Sequence, residues 1–170
     1  RECMAGNIQN TFMYGGLIAQ ATRDPKDLES LRLQWLLLLQ NKPSVDMFSS
    51  CAQEYVEALV ASEHLDEAIE VVGLIPSNVN AGHAWLTIAE ASNDEVHLAR
   101  AREVAECIGS AGVHLWSSIY DFSGHDDDAR HAVDVAILHP DTQKGQFKRL
   151  TFAKALVKHG RIEEARKLTA

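Results

Sequence analysis

The chain has 170 residues, of which 46% are hydrophobic and only four are proline, and its formal net charge at pH 7 is −8. This composition is typical of a folded protein and excludes a disordered chain. Because phosphate binding depends on clustered Lys and Arg, the acidic balance argues against nucleic acid and anionic lipid as partners.

The three cysteines are scattered and odd in number, so we expect free thiols and neither a disulfide framework nor a zinc site. The longest apolar run, Trp35–Leu39, is far shorter than the ~20 residues that a membrane span requires. No signal peptide is visible, which favours a cytoplasmic location. Because the chain begins with Arg instead of Met, we expect it to be a piece of a longer protein.

Helical patterns follow one another along the whole chain, and no segment has the alternation of a strand. They predict helices over residues 2–22, 26–40, 44–61, 65–75, 78–92, 95–108, 112–123, 126–138, 142–158 and 161–170. In the first helix, Ile8, Phe12, Leu17 and Ile18 are expected on one apolar face. The second helix is apolar on most sides, which predicts burial on both of its flanks.

A spacing of 31–33 residues repeats along the chain. It separates four helix breakers, Pro43, Pro76, Gly109 and Pro140. A second series of residues has the same spacing. Its first four members each stand eight residues before a breaker, and the fifth follows the last breaker: Trp35, Ala68, Ala101, Ala132 and Ala165. A fixed period in this range is typical of stacked two-helix units. We therefore predict one domain over residues 1–170, with repeat units at 1–43, 44–76, 77–109, 110–140 and 141–170.

The residues of this second series are predicted to pack the repeats together. A small residue lets neighbouring helices approach closely, and an isolated hairpin would leave an apolar face open, so the units must stack. Trp85 and Trp116 lie sixteen residues before Ala101 and Ala132, and we expect these two tryptophans to occupy like environments in the stack.

The segments His64–Ala68 and His159–Arg166 resemble the turn and second helix of tetratricopeptide (TPR) repeats. The chain is similar to this superfamily over about residues 30–170. The resemblance implies an all-α, right-handed α-solenoid of about five antiparallel helical hairpins. It leaves the subfamily open among pentatricopeptide repeats, clathrin-type helical repeats and an irregular TPR-like array in a larger regulator.

In a TPR-like stack, the first helix of each hairpin lines a concave groove. Positions counted back from the small residues place five candidate ligand-binding residues there: Glu57, Glu90, Asp121, His83 and His114. Three stacked carboxylates would attract a basic or polar peptide segment. The alternative is that these residues belong to ordinary solvated helix surfaces. The resemblance does not extend to the family's Lys and Asn clamp for a C-terminal carboxylate. The matching positions here carry no Lys or Asn, and they include two glutamates that would repel a carboxylate: Ser50, Gln53, Glu57, His83, Leu86 and Glu90.

One stretch has the residue types of a metal-binding site, because His125 precedes three consecutive aspartates. The stronger interpretation is that Asp126, Asp127 and Asp128 occupy the first turn of a helix, where carboxylates stabilise the free N–H groups. No nucleotide-binding or nucleophile motif is present, so we predict a protein that is not an enzyme and needs no cofactor or metal.

Three functional hypotheses remain, of which the first is favoured. The chain is a protein-interaction module that binds a basic or polar peptide in the acidic groove, as part of a larger scaffold, regulator or effector. Alternatively, it is a structural segment that self-associates, for example as a homodimer through its end helices. The third hypothesis is a metal-dependent hydrolase that uses His125 and Asp126.

Overall fold

Ten α-helices make up most of the chain in the computed structural model, which describes residues 2–137 and 143–169. The helices are α1 (Glu2–Thr22), α2 (Pro25–Gln40), α3 (Val45–Ala61), α4 (Leu65–Val72), α5 (Val79–Ser92), α6 (Glu95–Ile108), α7 (Val113–Ser123), α8 (Asp126–Ile137), α9 (Gln143–Lys158) and α10 (Ile162–Thr169). These described residues contain no strand, so the all-α class is confirmed. Pro140 lies outside the described residues.

Short-range chemistry sets most of the helix ends. The side chain of Asp24 caps α2 by accepting a hydrogen bond from the Lys26 N–H at 2.8 Å, and Ser44 caps α3 in the same way. The predicted fourth helix is too long, because α4 ends at Val72. The N–H groups of Leu74 and Ile75 donate to carbonyls three positions back, and Ile75 precedes a proline, which disfavours helical backbone.

The helices form two compact units whose boundary lies within α6, between His97 and Leu98. In the first unit, α1 packs against α2 and α3, and α3 packs in turn against α4 and α5. In the second unit, α7 packs against α8 and α9, and α9 packs against α10. Within its own unit, each of α1, α3 and α7 therefore contacts both its hairpin partner and a helix of the next hairpin.

The small residues of the repeat series are all buried. Ala68, Ala101 and Ala132 have no exposed surface, and Ala165 is 5% exposed. Trp35, which takes the place of alanine in the first repeat, is also buried and lies 5.3 Å from the Tyr55 ring, centroid to centroid. Each of these side chains is thus part of the core of its own unit.

The predicted apolar face of α1 is buried at only one of the three residues whose side chains the structure describes; the side chain of Ile8, the fourth, lies outside this description. Phe12 is buried, but Leu17 and Ile18 are 54% and 52% exposed. A glycine pair explains why Leu17 and Ile18 are exposed, although glycine has a low intrinsic helix propensity. A Cβ atom on Gly15 would lie 3.4 Å from the Leu31 side chain, and one on Gly16 would lie 3.5 Å from Glu54 Cβ. The glycines therefore face α2 and α3, and the leucine and isoleucine face away.

The prediction that α2 is buried on both flanks is also wrong. One face is buried through Leu28, Leu31, Trp35 and Leu38. The opposite face leaves Leu33, Leu36 and Leu37 at least half exposed. Two helices, α1 and α3, pack against α2, and they cover only one of its sides. None of the helices in the described part of the chain is long and apolar enough to cross a membrane.

Candidate functional site

Two glutamates one turn apart on α3 form the most unusual polar feature of the first unit. The Glu57 carboxylate accepts a hydrogen bond from Gln53 Nε2 at 2.9 Å and a long one from Gln20 Nε2 of α1 at 3.5 Å. Neither Glu54 nor Glu57 forms an ion pair with any residue that the structure describes. The pair is therefore a concentration of negative charge with only neutral donors around it.

Glu54 is held in an unfavourable setting for a charged group. Its Oε2 atom lies 3.6 Å from the position of a Cβ atom on Gly16, so the carboxylate extends over the bare backbone of α1. This oxygen is buried and accepts no hydrogen bond from the described residues. Burial, and then the negative charge of Glu57, raise the pKa of Glu54 above its ordinary value, and a hydrogen bond from Gln20 only partly offsets them.

We expect Glu54→Gln to raise Tm at pH 7. Because its pKa is raised in the folded protein, the folded state binds the Glu54 proton more tightly than the unfolded state does. Stability is therefore lost as the pH rises from the unfolded pKa, about 4.3, through the folded one. The amide has no proton to lose, so the gain should be present at pH 7 and absent at pH 3. Thermal melts followed by circular dichroism measure it, and an equal gain at pH 3 would contradict the assignment.

The other predicted groove residues of the first unit lie on α5. His83 is half-buried in the middle of this helix, and Glu90 is exposed near its end. A hydrogen bond of 2.8 Å between Asn78 Nδ2 and Ser49 Oγ joins the start of α5 to the start of α3. The two helices thus begin side by side, and Glu57 and Glu90 both belong to their C-terminal halves.

The remaining two groove residues lie in the second unit, on α7. His114 is half-buried. The Asp121 carboxylate forms an ion pair with Lys158 of α9, with Oδ2 and Nζ 2.7 Å apart. Its charge is already balanced within the unit, so Asp121 offers less attraction to a basic partner than the unpaired carboxylates of α3 do.

The aspartates after His125 have structural partners. Asp128 is only 2% exposed, and its two carboxylate oxygens accept hydrogen bonds from Arg102 Nε at 2.7 Å and Nη2 at 2.8 Å. Ser123 Oγ donates a further bond at 2.5 Å. Burial alone would raise the pKa of Asp128, but the bonds from Arg102 and Ser123 outweigh it and lower the pKa. Asp126 pairs with Arg161 at 3.0 Å.

A small cavity of about 270 Å³ adjoins this cluster. Its lining mixes cationic, acidic and aromatic side chains, namely Arg102, Glu106, Trp116, His125, Asp127, Asp128 and His131. No group of three or more His, Cys, Asp or Glu residues in the described ranges is arranged to hold a metal ion. The paired carboxylates are accounted for by their arginine partners, which favours the structural interpretation of the aspartate run.

The two tryptophans that the repeat relates make the same kind of contact. Trp85 stacks on His97 with ring centroids 5.8 Å apart, and Trp116 stacks on His131 at 4.7 Å. In each case the histidine belongs to the helix that follows the tryptophan's own helix. The burial differs, since Trp116 is 2% exposed and Trp85 is only half-buried.

Sequence reasoning found Glu57 but missed its neighbour. Glu54 precedes it by three residues, and this spacing is a signal that could have been used, since it places both carboxylates on one face. A second cluster was also missed: Glu67 of α4 accepts hydrogen bonds from Arg32 of α2 and, at 2.7 Å, from Tyr55 of α3. Only the packing of three helices brings these residues together.

Comparison of the chain with protein-family models, with curated proteins and with solved structures gives no match.

Proposed function

We propose that the protein is an interaction module built from stacked helical hairpins, a TPR-like α-solenoid within a larger scaffold, regulator or effector. The contacts within each unit support this arrangement, because α1 packs on α3, α3 on α5, and α7 on α9. Such repeated neighbour contacts are what a stack of two-helix units requires. The burial of the small repeat residues and the two tryptophan–histidine stacks agree with a common unit.

The partner is a basic or polar peptide segment, and the Glu54–Glu57 pair is the centre of its binding surface. The observation that carries this proposal is the adjacent pair of carboxylates on α3, neither of which forms an ion pair with any described residue. A Lys or Arg from a partner, placed beside Glu57, would supply the missing opposite charge and would favour the ionised form of Glu54.

The neutral side chains around the pair fit the same partner. Gln20 and Gln53 each carry an amide that can bond to a peptide backbone as donor or acceptor. Glu90, exposed on α5, extends the negative surface beyond α3.

Charge reversal on α3 tests the proposal. We expect Glu54→Lys/Glu57→Lys to weaken binding of a fluorescein-labelled peptide of alternating lysine and serine at least tenfold, as measured by fluorescence anisotropy at low salt. The matched control is Glu63→Lys/Glu70→Lys, which makes the same change in net charge at two exposed glutamates of the same unit. An equal loss in both double variants would show that only net charge matters, and would overturn the site.

A further inference from the structure

The hairpin of α9 and α10 has an apolar groove that faces solvent. The groove is lined by residues of these two helices: Leu150, Ala153, Lys154, Val157, Ile162, Ala165 and Arg166. Leu150, Val157 and Ile162 are each about half exposed. Because the four lining residues of α9 stand at positions i, i+3, i+4 and i+7, they form one face of that helix.

A helix covers the same surface of the preceding hairpin. Every groove residue stands 33 positions after a residue of the hairpin of α7 and α8. Two of those earlier residues contact α9: the Tyr120 ring lies 5.8 Å from the Phe152 ring, and Asp121 pairs with Lys158 at 2.7 Å. As a whole, α9 packs against both α7 and α8. The surface that forms the groove in the last hairpin is thus the surface on which a helix lies in the preceding one.

Exposure separates the covered hairpin from the uncovered one. Ser117 and Ala129, which correspond to Leu150 and Ile162 of the groove, are only 3% and 1% exposed. The first unit shows the same use of a hairpin, since α5 packs against both α3 and α4. An uncovered groove with an aliphatic lining between two helices is the kind of surface that accepts the apolar face of an amphipathic helix.

The charge of the groove differs from that of the covered hairpin. Lys154 stands at the position of Asp121, whose carboxylate pairs with a lysine of α9. Lys154 is exposed and forms no ion pair with any residue that the structure describes. On the α10 side, Arg166 pairs with Glu163 of the same helix, and no acidic residue is among those that line the groove. A helix in this groove therefore gains most from a carboxylate beside Lys154.

The charge distribution along the sequence favours the same occupant. Residues 141–170 contain eight Lys and Arg against three Asp and Glu, whereas residues 1–140 contain eight against 21. The last hairpin thus belongs to the basic end of an acidic chain. Complementary charge increases the rate at which an acidic partner reaches this end, and it discriminates against a basic one.

Two other occupants fit the groove less well. A membrane-bound helix presents a protruding apolar face along its length, whereas the aliphatic side chains here line a groove between two helices. A two-fold contact with a second copy would place Lys154 and Arg166 against the same cations at a surface that loses water. An acidic helix matches both the apolar lining and the charge.

We infer that the α9–α10 groove is a docking site for an acidic amphipathic α-helix of a partner protein. The apolar stripe of that helix lies in the groove, and one of its carboxylates pairs with Lys154. This site belongs to the second unit, whereas the Glu54–Glu57 pair belongs to the first unit and attracts the opposite charge.

Three fluorescein-labelled peptides of about 16 residues test the site. All three have leucines at positions i, i+3, i+4 and i+7, and the flanking positions hold glutamate, glutamine or lysine. We expect the 170-residue chain to bind the glutamate peptide about tenfold more tightly than the glutamine peptide, and the lysine peptide most weakly, in fluorescence anisotropy at low salt.

Charge reversal at Lys154 identifies the contact. Lys154→Glu should weaken binding of the glutamate peptide about tenfold and strengthen binding of the lysine peptide. The matched control is Lys167→Glu, which makes the same change in net charge at an exposed residue of α10 that does not line the groove, and it should leave both affinities nearly unchanged.

Loss of the apolar lining should weaken binding of all three peptides. Val157→Ser/Ile162→Ser makes this change at two half-exposed positions, so the circular dichroism spectrum should not change. The same variant should bind the peptide of alternating lysine and serine as the unchanged chain does. Docking at the groove and binding at the Glu54–Glu57 pair can therefore fail separately.

Three outcomes would overturn the inference. Equal affinity for the glutamate and glutamine peptides, or equal weakening by Lys154→Glu and Lys167→Glu, would show that the groove does not select a carboxylate. Absence of binding to all three peptides would show that a free helix is not the occupant. Sedimentation with phosphatidylserine vesicles, or a concentration-dependent dimer, that Val157→Ser/Ile162→Ser abolishes would then assign the groove to a membrane or to a second copy.

Discussion

Replacing Asp128 with alanine is expected to destabilise the protein by about 3 kcal/mol, because it leaves the Arg102 guanidinium without its bidentate partner in a largely buried place. The Arg102 side chain is 21% exposed and the Asp128 side chain only 3%. Water can therefore compensate the arginine only in part. Ser123 also loses its acceptor, since its hydroxyl donates to the same carboxylate. Urea unfolding at pH 7, followed by circular dichroism, measures the loss.

The control for this substitution is Asp127→Ala, one residue earlier in α8. The Asp127 side chain is 78% exposed and pairs with Arg130 in the same helix, so its loss should cost little. Arg102→Met/Asp128→Leu removes both charges and should be more stable than Asp128→Ala alone. Equal stability of Asp127→Ala and Asp128→Ala would show that the carboxylates act only through the helix N-terminus, and would contradict the buried ion pair.

The pH dependence gives a separate check on the same pair. The pKa of Asp128 is lowered in the folded protein, so its contribution is present above the unfolded value of 3.8 and is lost as the pH falls through the folded value. The unchanged chain should therefore lose stability between pH 4 and pH 2 more steeply than Asp128→Ala does. Parallel slopes over this window would contradict the assignment.

The helices could be predicted from the sequence because their ends depend on neighbouring residues. Asp24, Ser44 and Asn78 cap α2, α3 and α5 through backbone N–H groups two or three residues ahead. Such signals require no knowledge of the rest of the fold. The prediction failed at the end of α4, where the last residues before Pro76 form a tighter turn.

Which face of the first two helices is buried could not be predicted in the same way. Apolar residues lie on several sides of α1 and α2, and periodicity alone does not say which side another helix covers. The answer depends on Gly15 and Gly16, which let α1 approach α2 and α3 closely. Glycine has a low helix propensity, so the sequence alone predicts that these two residues weaken α1. In the structure they lie where α1 approaches α2 and α3 closely.

The candidate site was likewise predicted only in part. The repeat spacing identifies Glu57 and Asp121 as equivalent positions, but it does not show that their side chains have different partners. Lys158, which neutralises Asp121, stands 37 residues further along the chain, whereas no cation among the described residues pairs with Glu57. The burial of Glu54 depends on the glycine opposite it in α1. Charge balance at these positions is therefore a property of packing between helices, which the spacing of residues does not contain.

Trp116→Ala is expected to destabilise the protein by about 4 kcal/mol, the largest effect of any single substitution considered for this chain. Trp116 is among the largest side chains that are almost fully buried. Its removal leaves a cavity between α7 and the helices that pack on it, and it ends the stacking on His131 at 4.7 Å. Trp116→Phe keeps an apolar ring and should lose less than half as much.

Trp85 provides the matched comparison, because the repeat places it at the related position and it also stacks on a histidine of the following helix. Trp85 is only half-buried, so Trp85→Ala should cost about half as much as Trp116→Ala. Urea unfolding of both variants under one set of conditions gives the ratio. Equal losses would mean that position in the repeat determines the contribution of each tryptophan. A larger loss at Trp116 would mean that burial within its own unit determines it.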